Sequence, residues 1–128
     1  MDQVRSTTPQ DIFNYCQELL KQRGENYGGI ENNFVRTAQI ASLRLNRTIH
    51  PYEVAVIMSC VKNSRTAETP HHYDSHYDAI NYEMFASLFA HDYAVKQGLI
   101  SAAPVEEPKP RSKNAIIEAF EAELAKVT

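Results

Sequence analysis

Residues 53–82 read EVAVIMSCVKNSRTAETPHHYDSHYDAINY, two helical patterns separated by a polar turn at Thr69–Pro70. In the first half Val54, Ile57, Met58 and Val61 recur at intervals of three and four, the period of a helix that turns one face to a core. In the second, Asp74, Asp78 and Asn81 fall on one stripe. Ile80, Met84, Phe85, Leu88 and Phe89 then broaden the apolar side, as expected of a helix central to a bundle. Two helices joined by so short a turn pack antiparallel. The hairpin therefore predicts an all-α fold.

Working back toward the N-terminus, Pro51 with Glu53 as a first-turn acid opens the third helix after a connector at 46–50. A second helix is predicted from about Ile30 to Leu45, with Ile30, Phe34, Ala38, Ala41 and Leu45 on one face. The first starts at Thr8, Pro9 and Asp11 and carries Ile12, Cys16, Leu19 and Leu20 as far as Arg23, with Gly24 as its stop. Residues 24–29, GENYGG, then read as a turn, whose glycines either reverse the chain or let a ligand approach the backbone. Toward the C-terminus, the fourth helix is expected from Tyr73 or Asp74 to about Lys96, with Gly98 as its stop. Residues 101–111, SAAPVEEPKPR, read as an extended proline-rich linker. Ser112 caps a last amphipathic helix with Ile116, Ile117, Phe120, Leu124 and Val127 on one face. The expected plan is a bundle of four main helices over 1–100, a linker over 101–111 and a C-terminal helix over 112–128.

At 128 residues, 43% of them hydrophobic, the chain can bury one core but not two. Thirteen basic and sixteen acidic residues give a net charge of −3, which argues against broad binding to nucleic acid or anionic membranes. Cys16 and Cys60 lie inside apolar stretches and read as buried packing residues of a reducing compartment. With no membrane-length apolar run and no secretory leader, a cytoplasmic protein is expected.

The chemistry-bearing residues collect around the hairpin. Lys62 and Arg65, three apart, share a helix face, and Asp74 and Asp78, four apart, share another. Antiparallel packing sets the cations against the acids, with His71, His72 and His76 at the mouth. Two readings follow. In one, the charges pair and fix how the helices dock. In the other, Lys62 and Arg65 hold phosphate while Asp74 and Asp78 hold a divalent metal or a ribose. Tyr27 in the glycine stretch and Asn33 near the start of the second helix, where free N–H groups favour anions, extend that second site. His91–Asp92 spells a metal-phosphohydrolase dyad without the larger domain such a site needs, and His72 and His76 have the i, i+4 spacing of helical metal ligands.

RGENYGG, Asn33–Phe34, EVAVIMSCVKNSR and YDSHYDAINY together resemble a small family of phage and prophage domains of uncharacterised function, over roughly residues 20–90. More remotely, the paired helices are similar to the all-α nucleotide pyrophosphohydrolases of the MazG-like and phosphoribosyl-ATP type. Those carry E-x-x-E on one helix and E-x-x-D on the next, four carboxylates that hold Mg²⁺. The resemblance implies Asp74 and Asp78 as Mg²⁺ ligands, with Glu31 or Glu83 as a third acid, and sets Tyr82 beside them. Here the acids are four apart, not three, and Val56 stands where the acid paired with Glu53 would be. The reading that results is a binder of a phosphate-bearing nucleotide, sequestering a nucleotide signal, with turnover not assured. Two alternatives stand: a Mg²⁺-dependent pyrophosphohydrolase, and a protein-binding inhibitor or adaptor acting through 112–128 on a host or phage protein. The apolar tail helix further predicts a homo-oligomer, most simply a dimer.

Overall fold

The computed structural model describes residues 5–27, 29–102 and 113–127, with side chains described for 5–24, 29–102 and 117–126. Five helices follow in order: α1 (Pro9–Tyr27), α2 (Ile30–Leu45), α3 (Pro51–Glu68), α4 (Tyr73–Lys96) and α5 (Lys113–Val127). There is no strand among the described residues, so the fold is all-α, with the first four helices packed as a bundle. The linker at 103–112, including the cap expected at Ser112, lies outside the described residues.

α3 and α4 form the most extensive helix pair. Their close approach is helped by small buried side chains, Ala55 and Ser59 on α3 and Ser75 and Ala86 on α4. Phe34 of α2 fills the space beside them, its ring packing on Phe85 at 5.0 Å and edge-on to Tyr82 and Phe89 at 6.1 and 5.9 Å. Rings in such tilted and edge-on contacts gain about 0.5–1.5 kcal/mol per pair beyond the burial of their area. α1 closes the bundle through polar ties: the Asn81 amide donates to the Cys16 carbonyl at 3.1 Å, and the Tyr15 and Tyr77 rings meet edge-on at 5.1 Å.

The connector from α2 to α3 is held from both sides. Asn46 caps α2 in the left-handed region at φ 54°, and Ser42 Oγ accepts from the Ile49 N–H at 2.8 Å. His50 then caps α3. Its Nδ1 accepts from the Tyr52 N–H at 3.0 Å, while Glu53 Oε1 accepts from the His50 N–H at 3.0 Å. This is the reciprocal capping box that a first-turn acid permits. Gly98, at φ +73°, follows α4.

Three expectations are corrected. α1 does not stop at Gly24 but runs on to Tyr27, so most of the GENYGG stretch is helix; Gly24 keeps an ordinary negative φ, and Gly29 takes a positive one, 108°. Ile57, Val61, Ile80 and Leu88 are exposed rather than in the core, because α3 and α4 bury small side chains and turn these larger ones outward; Leu45, the last residue of α2, is exposed as well. Cys60 is exposed for the same reason, whereas Cys16 is buried.

Candidate functional site

Between α1, α2, α3 and α4 lies a cavity of about 180 Å³. Most of its wall is apolar, from residues such as Leu20, Phe34, Met58 and Phe85, and Asp78, Arg23, Asn33, Thr37, Asn81 and Tyr82 add polar groups to the lining. Each polar group arrives by helical register. Asp78 and Asn81 are three apart on α4, Asn33 and Thr37 four apart on α2, and Leu20 and Arg23 three apart on α1.

Asp78 is the electrostatic centre. Its side chain is 7% exposed, and each oxygen faces a cation: Arg23 Nη2 lies 2.8 Å from Oδ1 and Lys62 Nζ 3.0 Å from Oδ2. Lys62 is also largely buried, at 16% exposure, whereas Arg23 is 42% exposed and reaches the rim. The Arg23 contact is an ion pair without an aligned hydrogen bond, which leaves Oδ1 a buried acceptor on a residue that lines the cavity. The field of Asp78 is felt nearby. The Cys16 thiol is pushed up, first by burial and then by the Asp78 charge. The Tyr15 phenol is raised by burial, by Asp74 and, more weakly, by Tyr77 and Asp78.

Of the residues singled out from sequence, Asp78, Asn33 and Tyr82 line this cavity, and Lys62 reaches it through Asp78. Arg65 does not join them; it is exposed and has no ion-pair partner among the described residues. Asp74 is half-buried one turn before Asp78, close enough to Tyr15 to raise its phenol. His72 shares a hydrogen bond of 2.7 Å with buried Ser75, and His76 Nε2–H donates to the Pro70 carbonyl at 2.8 Å, so both histidines shape the turn before α4. The Tyr27 side chain lies outside the described residues. Glu31 and Glu83 are exposed on separate grooves away from Asp78. No group of three or more His, Cys, Asp or Glu side chains comes together among the described residues. One carboxylate already facing two cations does not fit Mg²⁺, which needs several hard oxygens. Arg23 is the functional candidate that sequence reading missed, although its spacing from Cys16 and Leu20 puts it on the inward stripe of α1.

A second polar cluster lies at the other end of the bundle. Because His50 Nδ1 is occupied as an acceptor, its Nε2 carries the proton and donates to Asp92 Oδ2 at 2.6 Å. Lys96 approaches the same oxygen at 3.1 Å. Hydrogen bonds from His50 and Lys96 hold the Asp92 carboxyl below its ordinary value. The histidine on Asp92 is thus a helix cap from forty-two positions earlier, and not its neighbour His91.

This is an all-α bundle with a buried carboxylate, paired with two cations, in the wall of a largely apolar cavity. The chain belongs to the family described as Domain of unknown function (DUF6378), whose family model matches residues 11–90, the span that contains the four bundle helices almost entire. No curated protein and no solved structure matches the chain. No helix among the described residues is long and apolar enough to cross a membrane.

Proposed function

We propose that the chain binds a nucleotide, with the base inside the four-helix cavity and the phosphates at its rim on Arg23. The observation that carries this reading is a largely apolar cavity whose lining includes the buried Asp78 carboxylate and, beside it, the half-exposed Arg23. About 180 Å³ is below the roughly 300–1,000 Å³ of sites that enclose a drug-sized ligand. It suits a flat ring better than a whole nucleotide. Phe34 and Phe85 offer faces for that ring, while Asn33, Thr37 and Asp78 Oδ1 offer partners for its edge. A phosphate would not desolvate among Leu20, Val54 and Met58, so it stays outside, where the half-exposed Arg23 guanidinium meets it.

The proposal includes the phage or prophage setting and the distant likeness to nucleotide pyrophosphohydrolases, both resting on the motifs quoted above. It holds the ligand without turnover, since one carboxylate neutralised by two cations is poorly suited to activate water. The test is thermal shift and calorimetry with nucleosides, nucleoside mono-, di- and triphosphates and cyclic nucleotides, each with Mg²⁺ present. At least one nucleotide is expected to raise the melting temperature and to be recovered intact after the protein is denatured. Arg23→Ala should weaken that nucleotide tenfold to a hundredfold, roughly the 1.5–3 kcal/mol of a charge-assisted contact, and leave its nucleoside unaffected. Release of phosphate or pyrophosphate would establish the pyrophosphohydrolase alternative instead. Silence across the panel would end the nucleotide reading.

A further inference from the structure

α2 and α5 each leave an apolar face uncovered. On α2, Val35, Ile40 and Leu43 point away from the core, and Leu43 is 84% exposed. On α5, Ile117, Phe120 and Leu124 form a stripe at intervals of three and four, and Phe120 is 65% exposed. At about 1.5 Å of rise per residue, the α2 face from Val35 to Leu43 is roughly 12 Å long and the α5 stripe from Ile117 to Leu124 roughly 10 Å. The two match in length.

Their charges are opposite. Arg36, Arg44 and Arg47 accompany the α2 face, all exposed and none with an ion-pair partner among the described residues. Glu118, Glu121 and Glu123 accompany the α5 stripe; the helix's two lysines stand at its ends, Lys113 as its first residue and Lys126, paired with Glu123 at 3.1 Å, in its last turn. Beside α2 runs a groove of about 750 Å³, lined by Val35, Leu43, Ile49, Phe89, Asp92 and Lys96, which widens the α2 face into a seat for a helix.

We propose that two copies of this chain pair by exchanging α5, each tail helix lying on the α2 face of the other copy. Neither face is covered within one chain, and one chain carries both the basic-apolar and the acidic-apolar half of the contact. A two-fold axis satisfies both halves at once, which no foreign partner does. The reach is sufficient: α4 ends at Lys96, on the edge of the same groove, and α5 begins at Lys113. The sixteen residues of 97–112 span up to about 50 Å when extended at about 3.1 Å each.

The test is the mass of the full-length chain by light scattering and sedimentation over a concentration series, with circular dichroism on every variant. Wild type should have the dimer mass at micromolar concentration. Leu43→Asp and Phe120→Asp alter exposed side chains that the bundle does not need for folding, and each should raise the dimer dissociation constant at least tenfold. Two charge-reversed chains decide the pairing. One carries Arg36→Glu and Arg44→Glu; the other carries Glu118→Lys and Glu121→Lys. Each alone sets like charges against like and should be monomeric, whereas a one-to-one mixture pairs opposite charges across both contacts and should recover the dimer mass. A wild type that stays monomeric at every concentration, as docking within one chain or on a foreign protein would give, overturns the proposal. So does a dimer insensitive to both aspartate variants, or a mixture that remains monomeric.

Discussion

Replacing Lys62 or Arg23 by methionine separates structural from ligand-binding charge at Asp78. Methionine keeps most of the straight apolar stem and removes only the cation. Lys62 is 16% exposed and its partner 7%, so Lys62→Met leaves a buried carboxylate with one cation instead of two. Breaking a buried pair from one side costs about 3–5 kcal/mol. Arg23 remains on Oδ1, which places the expected loss at the lower end, about 3 kcal/mol. For a chain of this length that is a fall in melting temperature of roughly 10 °C. Arg23 is 42% exposed and screened by solvent although its partner is buried, so Arg23→Met should cost less than Lys62→Met, about 1 kcal/mol. Urea denaturation gives the stabilities, and calorimetry with the nucleotide that stabilises the wild type gives the affinities. Lys62→Met should unfold more easily yet bind normally while folded; Arg23→Met should be nearly as stable as wild type and bind poorly. Adding Asp78→Leu to Lys62→Met should restore much of the lost stability, because the uncompensated carboxylate goes with it. Equal destabilisation by the two single variants, or a Lys62→Met protein of unchanged stability and weakened binding, would refute the division of roles.

The two thiols should differ in reactivity. Cys60 is exposed and should react rapidly with a maleimide at pH 8, whereas Cys16, buried and raised by burial and Asp78, should react only as the protein opens; equal labelling rates in the native protein would contradict the packing of α1 on α4. Asp92 gives the pH dependence. Its folded value lies below the ordinary 3.8, so its contribution is present above that pH and is lost as pH falls through the folded value. Urea midpoints of wild type and Asp92→Asn should therefore differ at neutral pH and converge below pH 3.8, and a gap that persisted in acid would place the stabilisation elsewhere than the His50–Asp92–Lys96 cluster.

The helices were legible because caps and period agree along the chain. Pro51 with Glu53, the α2 span from Ile30 to Leu45 and the α4 span from Tyr73 to Lys96 are all written in local sequence. What periodicity does not reveal is which apolar residues meet a neighbour. Val54 and Ile57 look equivalent on a helical wheel, yet Val54 is buried and Ile57 exposed, because Ala55 and Ser59 let α3 approach α4 on the small-residue side. That choice also decides the charges. Turning Ser59 inward brings Lys62, three residues on, toward Asp78, and leaves Arg65 in solvent. Gly24 misled for a related reason: glycine ends a helix only where a left-handed residue is needed, and here α1 continues past it. Without that continuation Arg23 is a terminal, solvated residue; with it, Arg23 sits on the inward stripe with Cys16 and Leu20 and meets Asp78 from the side opposite Lys62. The acid-and-cation cluster expected at the α3–α4 turn is thus partly displaced. Asp78 and Lys62 remain, while the second cation comes from α1, which turns a two-helix ion pair into a three-helix one whose carboxylate lines the cavity.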